Sequence, residues 1–170
     1  MTEALFNDII NQYASAVHSL IRRMIGFQEA ARDLAQDVFM KLWNNRHSVD
    51  TSRPVFTYLY KLAVNSSIDY LRKIKPLSIG DEVHQILSAE KNENQAELFE
   101  LIQKCLEFMK PKQKAVFILR DFDGLTFEEI AKVLDTNEQN VRSNLHLARR
   151  RVRDLLEEKF EVNLEYINDL

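Results

Sequence analysis

The sequence predicts an all-α protein: two small helical domains joined by a flexible acidic linker, the second containing a helix-turn-helix. Three observations predict it. Glycine and proline number only three each in 170 residues, too few for a turn-rich β fold. Apolar residues recur at spacings of three and four through most of the chain. That periodicity lapses over residues 76–95, where Leu77, Ile79, Val83, Ile86 and Leu87 are scattered among polar and acidic neighbours.

The first domain, residues 1–75, reads as three helices. Leu5, Phe6, Ile9, Ile10, Tyr13, Val17, Leu20, Ile21 and Met24 mark one face of a long first helix that Gly26 closes. A second helix covers residues 29–44, with Ala31, Leu34, Ala35, Val38, Phe39 and Leu42 on its apolar side, and polar residues 44–53 follow as a loop. Pro54 opens a third helix that runs to residue 73 and buries Phe56, Leu59, Ala63, Ile68 and Leu71. Past the linker, the second domain, residues 96–170, resumes with helical patterns over 97–109 and 111–122, the latter with Pro111 in its first turn. The lone Cys105 excludes an internal disulfide, and its neighbours Leu101, Ile102, Leu106 and Phe108 place it in a core. The acidic tail, residues 155–170, extends or packs back on the last helix.

Two helix-start signatures follow. Thr126 with Glu129, and Thr136 with Gln139, each have the spacing of a capping box. Between them Phe127, Ile130, Ala131 and Leu134 make a short helix; after them Val141, Leu145, Ala148, Val152 and Leu155 keep one face of a longer helix inward. Arg142, His146, Arg149 and Arg153 form an outer stripe beside Ser143 and Asn144. A short helix, a tight turn and a long helix with a basic outer face is the unit that places its second helix in the DNA major groove. Arginine forks onto guanine and asparagine onto adenine, while further arginines fix register on phosphate.

The formal net charge is −3, unusual for an autonomous DNA binder, because phosphate neutralisation supplies most of the affinity of such proteins. The charge is segregated instead. Residues 142–153 hold five arginines and no acid, whereas residues 76–100 hold six acids against Lys91 alone. A locally basic module in an acidic chain fits a protein that reads DNA with the help of a large partner. No apolar run approaches a membrane span, and Met1-Thr2-Glu3-Ala4 lacks the basic start of a signal peptide, so residence in the cytoplasm without membrane insertion is expected. There is no Gly-rich phosphate loop or paired cysteine, and His18, His47, His84 and His146 are scattered, so no catalytic centre, metal site or cofactor is expected.

Two clusters in the first domain point further. Residues 33–43 are apolar over a wide arc, with Phe39 and Trp43 one turn apart, and such an arc must bury a second side. Residues 56–73 interleave Phe56, Tyr58 and Tyr60 with Lys61, Asn65, Asp69, Arg72 and Lys73, a mixture suited to single-stranded DNA.

Taken together, these segments resemble the sigma-70 family of RNA polymerase subunits, in its compact extracytoplasmic-function branch. Residues 33–43 look like the polymerase-binding helix, residues 57–73 like the -10 recognition helix, and residues 111–153 like the -35-reading domain. The resemblance implies that Asp33, Leu34, Gln36, Asp37, Phe39, Leu42 and Trp43 belong to the surface for bacterial core RNA polymerase. It implies that residues 45–56 capture a base flipped from the -10 strand, with Phe56, Tyr58, Lys61, Asn65, Asp69 and Arg72 along the neighbouring helix. Arg142, Ser143, Asn144, His146 and Arg149 would meet the -35 duplex. Promoter DNA and core polymerase are the implied partners, an anti-sigma protein a further one. Tyr58 stands where the family usually has Trp, Asp135 where it has Gly, and Asn144 and Leu147 where it often has basic residues. The competing reading is a stand-alone helix-turn-helix regulator with an N-terminal sensing or dimerisation domain.

Overall fold

Why the described residues form seven α-helices is visible at their ends. The computed structural model describes residues 1–50, 54–74 and 95–160, with side chains from residue 98 in the last stretch. The expected linker and the end of the acidic tail lie outside those residues. Helix α1 (Glu3–Ile25) starts at Thr2, whose hydroxyl accepts the Leu5 N–H, and stops at Gly26. There the backbone turns left-handed (φ 81°), a conformation that a side chain would strain. Helices α2 (Gln28–Asn44) and α3 (Val55–Ile74) complete the first bundle. All three bury their period-3.6 faces together: Leu20, Ile21 and Met24 from α1, Val38 and Leu42 from α2, Leu59 and Ala63 from α3.

The second bundle comprises α4 (Gln95–Glu107), α5 (Pro111–Phe117), α6 (Phe127–Val133) and α7 (Glu138–Phe160). Cys105 is fully buried in it, and burial pushes its thiol up to about 11, which leaves it an inert core residue. The pattern expected over 111–122 is not one α-helix. Residues Ile118–Phe122 widen into a π turn, with the Asp123 N–H bonded to the Ile118 carbonyl. The two acids of this segment point in different directions. Asp121 reaches Arg149 on α7, and Asp123 reaches Arg23 on α1.

The two bundles are packed on one another. A single hydrophobic cluster runs through both. At their junction Arg23 Nη1 donates to Asp123 Oδ1 at 2.7 Å and lies over the Phe122 ring at 5.2 Å. Nearby, Lys61 of α3 pairs with Asp135, in the turn between α6 and α7. Burial raises the Asp123 carboxyl above its ordinary range, more than Arg23 lowers it, so ionisation of this acid works against closure. Burial, and then the Asp123 charge, push the Tyr60 phenol up to about 12. Arg23 Nε and Asp123 Oδ2 are buried and find no hydrogen-bond partner among the described residues.

A buried pair of this kind costs most when halved. Arg23→Met alone or Asp123→Leu alone should each lower stability by about 2–3 kcal/mol, because each strands a desolvated charge. The double variant should recover most of that loss. Urea denaturation of the three variants checks this; a double variant as weak as the sum of the singles would show the two groups are not coupled.

Candidate nucleic-acid interface

The helix-turn-helix is built from short-range rules. Gly124 (φ 71°) lets the chain leave the π turn. Thr126 then caps α6: its hydroxyl accepts the Glu129 N–H at 3.2 Å, and the Glu129 carboxylate accepts the Thr126 N–H at 2.8 Å. The second expected box, Thr136 with Gln139, does not form. Asn137 caps α7 instead, its Oδ1 accepting the Asn140 N–H at 2.8 Å, while the Asn140 amide donates to the Thr136 hydroxyl. Asparagine is the stronger N-cap, so the helix starts one residue later and the Asn140 N–H, not that of Gln139, is the group satisfied. The turn itself passes through Asp135 in the left-handed region (φ 49°), a conformation glycine would adopt without strain.

Helix α7 is rotated relative to the stripe that its arginines suggest. Val141, Leu145, Ala148 and Val152 are buried as expected. Arg149, however, donates twice to Asp121, at 3.0 and 2.5 Å, and that pairing raises its pKa. It braces the helix to the π turn while its side chain stays 40% exposed. Arg142 is exposed, but its guanidinium stacks 4.0 Å from the Phe127 ring and pairs with Glu138 at 3.3 Å. Ser143 and His146 are exposed, and Asn144 is half-buried, donating to the Asn140 carbonyl. Opposite the buried stripe stand Gln139, Ser143 and Arg150, with Leu147 beside them. Gln139, Leu147 and Arg150 escape a reading based on arginine spacing; the wheel centred on Val141 and Ala148 would have found them.

On α3, Tyr58, Lys61, Asn65, Asp69 and Arg72 follow one another at spacings of three and four. Asn65 is exposed, Tyr58 half-buried, and Asp69 and Arg72 pair at 3.6 Å. Phe56 is half-buried, its ring edge-on to Tyr60 at 6.1 Å. Only the start of this face, Phe56, Tyr58 and Lys61, forms one wall of a cleft of about 1220 Å³, together with Asn45, Ser48, Val49 and Asp50 after α2; Asn65, Asp69 and Arg72 lie outside it. The other wall is α6 and the turn after it, through Thr126, Glu128, Glu129, Lys132 and Asp135.

The α2 cluster needs correction. Phe39 is 9% exposed and Leu42 is fully buried, so neither belongs to a surface. Leu34 and Trp43 are half-buried; Trp43 packs 4.8 Å from Phe6 and under the Arg46 guanidinium at 4.3 Å. The wide apolar arc is consumed internally because α2 packs on α1 with one side and on α3 with the other. Of that cluster, Asp33, Gln36 and Asp37 remain outside, and one turn further on Met40 is 61% exposed. Met40 is the residue that the sequence reading missed. Among the described residues there is no cluster of metal-ligating side chains, and no helix is long and apolar enough to cross a membrane.

Comparison with known proteins bears on both halves. Residues 9–76 match the family described as Sigma-70 region 2, and residues 99–152 that described as Sigma-70, region 4. The ECF RNA polymerase sigma factor SigW of Bacillus subtilis is 30% identical over 165 residues, covering 89% of this chain and 88% of that protein. The ECF RNA polymerase sigma-E factor of Escherichia coli is 26% identical, covering 85% and 82%. Among solved structures, the sigma factor RpoE with the anti-sigma factor NepR from Bartonella quintana superposes with TM-score 0.70 at 20% identity, over 91% of this chain and 98% of that one. CnrH with the cytosolic domain of CnrY superposes at 0.72 and 19% identity, over 93% and 91%. These two likenesses concern the fold.

Placing Phe39 in the core changes what its removal reports. Phe39→Ala should cost about 3–5 kcal/mol of stability, visible as an earlier thermal transition by circular dichroism. Met40→Ala, on the exposed stripe, should leave that transition within a degree or two of its original position.

Proposed function

This chain belongs to the sigma-70 family of RNA polymerase sigma factors, in its extracytoplasmic-function branch, and on that premise we propose how its surfaces divide the work of transcription initiation. The exposed stripe of α2, Asp33, Gln36, Asp37 and Met40, docks on bacterial core RNA polymerase. The loop after α2 and the α3 face from Phe56 to Arg72 receive the melted -10 strand. The outward side of α7, with Arg142, Ser143 and His146, reads the -35 duplex. The chain supplies recognition, and the chemistry of RNA synthesis stays with the polymerase.

One observation carries this reading over a stand-alone regulator. The same chain presents an aromatic, amide and lysine face suited to unpaired bases and a helix-turn-helix suited to duplex. A repressor or activator needs only the second. Stacking on Phe56 or Tyr58 would be worth about 1–3 kcal/mol per base, enough to offset the cost of flipping one out. Capture of the right base thereby makes strand opening sequence-dependent.

The packed arrangement bears on this function. Sites named -10 and -35 lie 25 base pairs apart, about 85 Å of duplex at 3.4 Å per pair. A -10 face and an α6–α7 unit that share one cleft do not span that distance. Twenty residues separate Ile74 from Gln95, a reach of at most about 70 Å, so the bundles can part without breaking the chain. We therefore assign the closed form to the free or inhibitor-bound protein and an open form to the polymerase complex. An anti-sigma protein, such as the one bound to RpoE in the first superposed structure, would be a partner that holds the closed form.

Two variants separate the assigned surfaces. Asp37→Lys should abolish stoichiometric co-elution with core polymerase on a sizing column while leaving the circular dichroism spectrum unchanged. Arg142→Ala should co-elute normally yet lower promoter-specific initiation by about 5- to 100-fold, the range of one lost base or phosphate contact. No association of the folded wild-type chain with core polymerase would return the stand-alone regulator to favour.

A further inference from the structure

Leu147 is a large aliphatic residue in the middle of a charged helix, and it is 48% exposed. The other large exposed apolar residues among those described are of two kinds. Leu5, Phe27, Ile74 and Phe99 sit at or near helix ends, and Met40 lies in the α2 stripe. Leu147 is different in position and in company. On α7 the side chains one turn away are Ser143 and Asn144 before it and Arg150 and Arg151 after it. None of the four is apolar, so Leu147 does not form part of an apolar patch on which a second protein could dock.

That company matches one kind of surface. The wall of a DNA major groove offers phosphates to cations, base edges to hydroxyl and amide groups, and a single type of apolar group, the C5-methyl of thymine. Arg150 and Arg151, Ser143 and Asn144, and Leu147 supply the complement to each in turn. We propose that Leu147 packs its side chain against the C5-methyl of one thymine in the -35 duplex and so sets a preference for thymine at that position. This rests on the reading of α7 as the -35 reader. From Ser143 to Leu147 the helix rises about 6 Å, so the thymine lies about two base pairs from the base that Ser143 faces.

Deoxyuridine tests this directly, because it differs from thymidine by that methyl alone. Holoenzyme assembled from the full chain and core polymerase is used to select transcribed sequences from a promoter library randomised at -35. Each selected thymine is then replaced singly by deoxyuridine. One replacement should lower initiation by wild-type holoenzyme about fourfold, the worth of one buried methyl-sized group. Leu147→Ala should lose that sensitivity and keep the preferences at other positions, and Leu147→Met should retain it. Equal sensitivity of Leu147→Ala and wild type overturns the proposal. So does a Leu147→Ala variant whose only defect is weaker association with core polymerase, which would make the residue a protein contact. A wild-type profile flat at every -35 position would instead sink the reading of α7 on which the proposal rests.

Discussion

Asp121, Phe122 and Asp123 occupy one widened turn, and three separate parts of the molecule are anchored to it. Asp121 takes both prongs of the Arg149 guanidinium and so fixes the rotation of α7. Phe122 packs on Phe117 and Phe99, which ties α4 and α5 together. Asp123 receives Arg23 and thereby joins the second bundle to the first. Two residues apart in the chain, the carboxylates lie on nearly opposite sides of the turn, one toward α7 and the other toward α1.

The two contacts differ in kind. The Asp121–Arg149 pair lies inside one bundle and is bidentate, so its geometry is over-determined. The Asp123–Arg23 pair crosses between bundles and is less well served: each partner keeps one buried polar atom unbonded among the described residues, and burial holds the acid above its ordinary range. A junction of that sort is specific without being strong. The second crossing contact, Lys61 with Asp135, is half exposed and worth little by itself. Asp135 adds a left-handed backbone that L-residues adopt at a cost of about 1–2 kcal/mol. Besides these two ion pairs, the hydrophobic cluster that runs through both bundles holds them together.

Elements governed by local rules were legible in the sequence. Gly26 ends α1, Thr126 and Glu129 box α6, and Cys105 sits in the core, each because the determinants lie within four residues. The exceptions had non-local causes. The π turn has the same apolar periodicity as an α-helix until Asp121 and Asp123 meet partners far away in sequence. Spacing puts Arg149 in the outer stripe, and only the structure shows that it also pairs with Asp121. Phe39 and Leu42 mimic a docking face because a wide apolar arc is equally the mark of a helix packed on two sides. Conversely Met40, exposed on the side of α2 that carries Gln36 and Asp37, was not distinguished from the buried apolar residues by pattern alone. The closed arrangement of the bundles leaves no trace in periodicity at all.

Closure also bears on DNA reading by an acidic chain. In this arrangement the start of the α3 face looks across the cleft at Glu128, Glu129 and Asp135, and Asp135 already holds Lys61. On the proposed role of the α3 face, carboxylates beside Lys61 would compete with DNA for it and repel the backbone over roughly a Debye length, about 8 Å at physiological salt. In the proposed open form both effects would go together, because the acids travel with α6 while Lys61 stays with α3. Stacking on Phe127 and pairing with Glu138 hold the Arg142 guanidinium in place, so little side-chain entropy would be lost if, as proposed, a base or phosphate took the place of Glu138. In the proposed open form Glu128, Glu129 and Asp135 stay beside α7 in the second bundle, so separation would free Lys61 and the start of the α3 face, not the arginines of α7.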